Sequence, residues 1–272
     1  MIVVTGASGG LGRRVAARLD TRVRLLFRDP SKVPAGVDAA IADYADGEAV
    51  RRALDGADTV FMVSAAETPE RVQQHRAFVD AAVAAGVRHL VYTSFLGAAP
   101  DSTFTLGRDH WHTEEHIRRS GLAFTLLRDN LYSDFLPTMA GEDGVIRGPA
   151  GDGRVSVVAR DDVAEVAAVV LREPDAHLAR TYDLTGPQAV TLTEAAAIIS
   201  TATGREVRYH PETIPEAYAS RAIYHAPAWQ VDAWVSTYTA IAAGDLETVS
   251  PDVEKLTGHP ATSPATVLRR GR

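Results

Sequence analysis

The chain opens Met1-Ile-Val-Val-Thr-Gly-Ala-Ser-Gly-Gly-Leu-Gly12. An apolar, mostly β-branched strand here runs directly into a glycine-rich turn and then a helix expected over about residues 11–19. Gly6, Gly9 and Gly12 fall three apart. Glycines so placed allow a tight turn, let the backbone approach a pyrophosphate, and let the helix pack hard on its strand. The helix N-terminus then points amide groups and a positive dipole end at the phosphates. A second apolar strand, Val23-Arg-Leu-Leu-Phe27, follows at the distance of a βαβ unit, which favours a dinucleotide cradle over an ordinary glycine turn. Thr5, Gly6, Ser8, Gly9, Gly10, Leu11 and Gly12 are therefore expected around a cofactor.

Strand-like and helix-like segments alternate through about residue 130. Val60–Val63, Arg88–Thr93 and Ala123–Leu127 read as strands, and Glu70–Ala85 and Asp109–Ser120 as helices. Val72, Val79, Ala82 and Val83 are expected on the buried face of the first of these helices. The pattern predicts an α/β fold, a Rossmann-type doubly wound parallel sheet covered by helices on both faces. Glycines and Pro149 punctuate residues 141–153, and Thr191-Leu-Thr-Glu194 forms a capping box before an apolar helix. Residues 1–130 are expected to form the nucleotide-binding domain, with segments near 153–187 returning to it. Residues 131–272 are expected to form mainly a smaller α+β substrate lobe.

With 272 residues and 46% hydrophobic content, the chain can bury a sizeable core. No apolar stretch reaches the length of a membrane span and the first residues lack the pattern of a signal peptide, so a cytoplasmic protein without a membrane partner is expected. The absence of cysteine excludes disulfides, thiolate catalysis and cysteine-ligated metals. A net charge of −7 argues against nucleic acid as a general partner.

The end of the second strand sets which dinucleotide fits, because an acidic residue there suits a free ribose and a basic one suits a 2′-phosphate. Arg28 occupies that place and Lys32 lies one helical turn on. The pair predicts NADPH in preference to NADH, with Arg28 making the planar contact. Asp43 and Tyr44 end the next short strand, where Asp43 suits either an adenine edge or a turn. Ser64, Ala65 and Ser94 stand at later strand ends and are expected along the cofactor.

Several pieces together carry a family resemblance: Thr5–Gly12, Phe27-Arg-Asp-Pro30, Ala84–Ser94, Thr113–Gly121 and Phe124-Thr-Leu-Leu-Arg-Asp-Asn-Leu-Tyr-Ser-Asp-Phe135. The chain resembles the atypical, NmrA-like branch of the short-chain dehydrogenase/reductase superfamily over nearly its whole length. The Arg-x-Asn-x-Tyr pattern of the last piece is most similar to the NADPH-dependent quinone oxidoreductases and triphenylmethane reductases of that branch. Typical members of the superfamily reduce carbonyls with a Tyr-x-x-x-Lys pair. The lysines here are Lys32 and Lys255, preceded at four residues by Arg28 and Pro251. The resemblance instead puts His110 in the lysine slot and Leu106 in the tyrosine slot.

Losing the fixed phenol favours acceptors that take hydride readily and draw a proton from solvent, such as quinones. His110 is a candidate to orient the nicotinamide ribose or donate a proton. His112 and His116 do not share its helical face, so no zinc site is expected. Asn130, Tyr132 and Asp134 are expected near the nicotinamide, Asn130 hydrogen-bonding and Tyr132 stacking on an aromatic acceptor. Tyr218, Tyr224, Trp229, Trp234 and Tyr238 suit either a flat pocket or core. An NADPH-dependent reductase of a quinone or similar small aromatic substrate is the first functional expectation. The alternative is an NmrA-like redox sensor that binds the dinucleotide without turnover and signals to a protein partner. A third option is an isomerase or reductase using His110 or Asp134 as acid. A homodimer is left open.

Overall fold

A computed structural model describes residues 1–270. The opening strand is β1 (Ile2–Val4), and α1 (Gly10–Ala16) follows the glycine turn. Then come β2 (Val23–Phe27), β3 (Ala39–Ile41), α2 (Gly47–Ala53), β4 (Thr59–Met62), α3 (Arg71–Ala84) and β5 (His89–Phe95). The alternation continues through α4 (Thr105–Arg119), β6 (Ala123–Asp129) and, later in the chain, α5 (Arg160–Arg172).

Seven strands form one sheet in the order β3-β2-β1-β4-β5-β6, with Arg180–Leu184 beyond β6. Pairing is parallel from β3 to β5, and Val4 of β1 lies between Leu25 and Phe61. Chain order reverses at β1, between β2 and β4, which makes the carboxyl ends of β1 and β4 the topological switch point. Every residue of β4 and β5 is buried, as expected of central strands covered on both faces. Val3, Leu26, Val60, Met62, Leu90 and Tyr92 meet Val50, Phe78, Val79 and Ile117 in this core.

Two local expectations change. Helix α4 starts at Thr105, four residues before Asp109. In α3 the buried face is Arg71, His75, Phe78, Val79, Ala81 and Ala82, while Val83 is exposed. Of the expected face Val79 and Ala82 are buried, Val72 is half-buried and only Val83 is exposed; apolar periodicity does not flag the arginine and histidine that share the buried side.

The residues group into two compact units. One comprises Met1–Phe95, Asp109–Arg128 and Val163–Tyr182. The other comprises Leu96–Arg108, Asp129–Asp162 and the described residues from Asp183 onward. Residues 96–108, expected in the nucleotide-binding half, thus belong to the second unit, and the returning segment is 163–182. The second unit is as long as the first, not smaller, and the expected lobe's last two residues, 271–272, lie outside the described ones. It has α+β texture. Val145–Gly148 pairs parallel with Arg208–Pro211, and Arg154–Val155 pairs antiparallel with Val190–Thr191. Its helix Leu192–Thr203 opens on the expected Thr191/Glu194 capping box. No described helix is long and apolar enough to cross a membrane.

Candidate functional site

The glycine turn is built by sterics at three positions. Gly6 sits in the left-handed region at φ +60°, where a Cβ would stand 3.1 Å from Val63 Cβ. Gly9 donates its N–H to Gly6 O at 2.8 Å, and its own Cβ would fall 3.1 Å from that oxygen. At Gly12 a Cβ would meet the carbonyl oxygens of Thr5 and Gly6 at 2.5 Å. Gly9 offers α1 no side-chain cap, leaving the first-turn amides to an outside acceptor.

In front of this turn lies a cleft of about 290 Å³ at the carboxyl ends of four parallel strands. Gly6, Ser8 and Gly9 line it after β1, Leu26 and Arg28 at the end of β2, Ala42, Asp43 and Tyr44 after β3, and Val63–Ala66 after β4. Gln74 of α3 closes one side. Eight predicted cofactor residues thus come together: Gly6, Ser8, Gly9, Arg28, Asp43, Tyr44, Ser64 and Ala65. Thr5, Leu11 and Gly12 are buried behind the turn, and Gly10 opens α1.

A closed ring of hydrogen bonds sets the Tyr44 wall. Tyr44 Oη donates to Val63 O at 2.8 Å, Val63 N donates to Thr5 Oγ1 at 2.9 Å, and Thr5 Oγ1 then donates to Tyr44 Oη at 2.5 Å. Burial drives the phenol pKa up, so this tyrosine stays neutral. Its ring packs on Phe78 at a centroid distance of 4.5 Å. Asp43 Oδ1 accepts from Ala45 N at 2.9 Å, a turn bond made while the residue lines the cleft.

Arg28 lines the cleft and is exposed. Lys32 is exposed on the short turn Pro30–Lys32 and stands outside the lining. The neighbouring Asp29 carboxylate is engaged by Ser31, whose N and Oγ donate to Oδ1 at 2.9 and 2.7 Å. These bonds, with smaller contributions from Lys32 and Arg28, hold the Asp29 pKa down. Among the described residues no acidic group forms an ion pair with either cation; the Arg28 charge is at the cleft, and that of Lys32 is exposed outside its lining.

Four predicted residues have other surroundings. Ser94 is fully buried and donates to Glu114 Oε1 at 2.6 Å, so its hydroxyl is not presented to a cofactor. His110 is buried. Its Nε2 lies 2.9 Å from Arg71 Nη2, and its Nδ1 lies 3.0 Å from Tyr92 Oη. Guanidinium groups only donate, so Nε2 accepts, Nδ1 carries the proton, and the ring is neutral. Burial first, then the Arg71 charge, holds its pKa well below the ordinary imidazole range, which removes it as a proton donor near neutral pH. Both amide hydrogens of Asn130 are used within the second unit, on Ser156 Oγ at 2.9 Å and Leu246 O at 3.0 Å, and its Oδ1 accepts from Leu131 N. It is a structural tie, not a free donor for substrate. Tyr132 donates its hydroxyl to Asp129 in a short contact. Burial and that carboxylate push its pKa far up, and Arg160 lies over its ring at 4.9 Å. In the C-terminal stripe Tyr218 and Tyr224 are exposed, and Trp229, Trp234 and Tyr238 are half-buried, so it does not form a closed core.

Gln74 and Ala66 in the cleft, and Arg71 and His75 behind it, were not expected from the sequence. The Arg71/His75 pair, one turn apart ahead of an apolar run, was the available signal.

His75 is likewise held neutral, since its Nε2 accepts from Ala65 N at 2.8 Å. Burial and Arg71 keep its pKa well below the ordinary imidazole range. The unfolded chain protonates both His75 and His110 near pH 6.5, whereas the folded chain does so only at lower pH. Between those values the unfolded state binds more protons, so stability is full above about pH 6.5 and falls as pH drops. The expected slope reaches about 1.4 kcal/mol per pH unit for each histidine. Denaturant unfolding at pH 7.5, 6.5 and 5.5 checks this, and a flat profile counts against both assignments.

The family model described as NAD(P)H-binding matches residues 6–174. The chain belongs to the NAD(P)H-binding family. Quinone oxidoreductase 2 of Escherichia coli (strain K12) is 35% identical over 275 residues, covering 97% of this chain and 96% of that protein. The crystal structure of the NADPH-dependent quinone oxidoreductase from Escherichia coli complexed with NADPH superposes with a TM-score of 0.90 at 34% identity, covering 99% of each chain. The Citrobacter sp. triphenylmethane reductase complexed with NADP(H) gives 0.89 at 30% identity over the full length of both chains. NmrA-like oxidoreductases also match. The resemblance drawn from the motifs of the first 135 residues therefore holds across the whole chain.

Proposed function

We propose that this oxidoreductase transfers hydride from NADPH to a quinone or a similar aromatic electron acceptor, without a fixed proton-donating tyrosine. The observation that carries it is the unpaired Arg28 at the mouth of a glycine-built cleft, in a chain alike over nearly its whole length to a quinone reductase. When bound, the dinucleotide supplies the hydride. Gly6, Ser8, Gly9 and the first amides of α1 suit the pyrophosphate, because a Cβ at Gly12 would collide with backbone and one at Gly9 would crowd Gly6 O at 3.1 Å, so the turn stays bare and close to the helix N-terminus. Arg28 with Lys32 suits a 2′-phosphate. Tyr44 and the Ser64–Ala66 segment form the walls.

The acid side is supplied differently from a carbonyl reductase. Lys32 and Lys255 are the lysines, and no tyrosine stands four residues before either. Lys255 pairs with Asp252 at 3.5 Å in the second unit. His110 is neutral and Tyr132 is a weakened acid. A quinone suits such a site, because it gains stabilisation as it accepts hydride and takes its proton from water. Alignment of donor and acceptor then provides the catalysis.

The test is the rate of NADPH oxidation with a panel of quinones, with NADH as the control. Turnover that prefers NADPH is expected. Arg28→Asp is expected to raise KM for NADPH roughly 10–100-fold, the loss of one charge-assisted contact, and to leave KM for NADH nearly unchanged. An unaltered preference in this variant removes the 2′-phosphate role from Arg28. Tight NADPH binding with no turnover on any acceptor would turn the assignment to a dinucleotide sensor.

A further inference from the structure

The segment joining β4 to α3 brings Ser64–Ala66 into the cleft, and its backbone is gripped from behind. The N–H of Ala65 donates to His75 Nε2 at 2.8 Å, and its carbonyl accepts from Arg71 Nε at 3.0 Å. Both side chains come from one face of α3, four residues apart. They are buried, at 4% and 0% exposure for Arg71 and His75. Water serves most loop backbone groups at little cost, whereas a buried guanidinium forfeits hydration that only several good contacts restore.

Those contacts extend inward as a continuous chain. Because His75 Nε2 accepts, Nδ1 carries the proton and donates to Thr113 Oγ1 at 2.8 Å, and Thr113 donates to Asp109 O at 2.8 Å. Arg71 Nη2 donates to His110 Nε2 at 2.9 Å, and His110 Nδ1 donates to Tyr92 Oη at 3.0 Å. Asp109 Oδ2 faces Arg71 Nη1 at 3.5 Å, close enough for charge attraction but not hydrogen-bonded. Helix α4 and strand β5 thereby brace the two residues of α3 that hold one peptide group of the cleft wall.

We propose that Arg71 and His75 are positioning residues of the dinucleotide site: they lock both ends of Ala65, so that Ser64–Ala66 stands in its binding shape before the nucleotide arrives. The proposal rests on the cleft being the NADPH site. A wall fixed in advance spares the nucleotide the cost of ordering it. Its contribution is shared by NADPH and NADH, unlike that of Arg28, since the segment lies after β4 and away from the end of β2.

Fluorescence titration of NADPH and of NADH tests this with His75→Leu and His75→Gln. Leucine removes the acceptor, while the glutamine carbonyl can restore a neutral acceptor to the Ala65 N–H. For His75→Leu the Kd is expected to rise roughly tenfold for both nucleotides, the loss of one buried hydrogen bond. For His75→Gln it should stay within about threefold of the wild-type value, a rescue that loss of general packing would not show. Folded His75→Leu with an unchanged Kd, or His75→Gln as weak as His75→Leu, overturns the proposal. Independently of any variant, the Ala65 amide of the nucleotide-free wild-type protein should exchange slowly with solvent. Fast exchange that slows only with NADPH overturns the preset wall. If the wild-type protein binds neither nucleotide, the NADPH reading of the cleft falls and the proposal with it; intact wild-type binding with a failed clamp removes the proposal alone.

Discussion

Glu114→Ala is expected to lower the stability of the first unit by about 3 kcal/mol, near the lower end for breaking a buried ion pair. The carboxylate is fully buried and serves three partners. Oε1 accepts from Ser94 Oγ at 2.6 Å and Arg128 Nε at 2.8 Å, and Oε2 accepts from Arg128 Nη2 at 2.7 Å and Arg118 Nη2 at 2.9 Å. Burial raises its pKa, but the Arg128 and Ser94 hydrogen bonds and both arginine charges outweigh it, and the net shift is downward. The stabilisation is therefore present above the ordinary carboxylate range and is lost as pH falls through the lowered folded-state value. Alanine leaves a polar cavity and the arginines without their shared acceptor. Their side chains keep 22% and 33% exposure for Arg128 and Arg118, so water recovers part of the loss, which places the expectation at the low end. Glu114→Gln keeps the shape and one acceptor and should cost less than alanine. Guanidinium unfolding at pH 7 measures both; a loss below about 1 kcal/mol for alanine would mean that water replaces the carboxylate entirely.

Gly12→Val is expected to remove nucleotide binding and to cost roughly 3 kcal/mol or more, the upper end of overpacking. A Cβ at this position falls 2.5 Å from two carbonyl oxygens, those of Thr5 and Gly6. Neither can retreat. Thr5 continues β1 and donates its own N–H to Phe61 O, while Gly6 O accepts the turn bond from Gly9. Relief would have to come from α1 moving off the sheet, which displaces the amides offered to the pyrophosphate. Gly47→Ala is the matched control, because the nearest atom to its Cβ is 3.9 Å away. It should be neutral or slightly stabilising. Thermal melts and NADPH titration of the two variants separate close packing from the general effect of adding a methyl group. Gly12→Val that melts and binds as the wild type does would show that the helix can shift without loss.

Much of the cleft was legible because its determinants are local. The spacing of Gly6, Gly9 and Gly12 reports backbone sterics within one turn, and the alternation of apolar runs reports strands and helices a few residues at a time. Arg28 follows from counting to the end of the second strand. The residues that were misread depend on partners far along the chain. Ser94 is taken by Glu114, twenty residues on, and His110 by Arg71, thirty-nine residues back. Val83 looked like core by periodicity, yet α3 turns Arg71 and His75 inward because Ala65 and α4 satisfy their polar groups.

The sequence by itself therefore determined the parallel sheet, the glycine cradle and the cation at its mouth, since each rests on steric or periodic rules that act over a few neighbouring residues. Only the tertiary structure decided which polar side chains face the cleft and which are spent holding it. Hydrogen bonds between residues distant in sequence make that choice, through the cost of leaving a buried donor or acceptor unpaired.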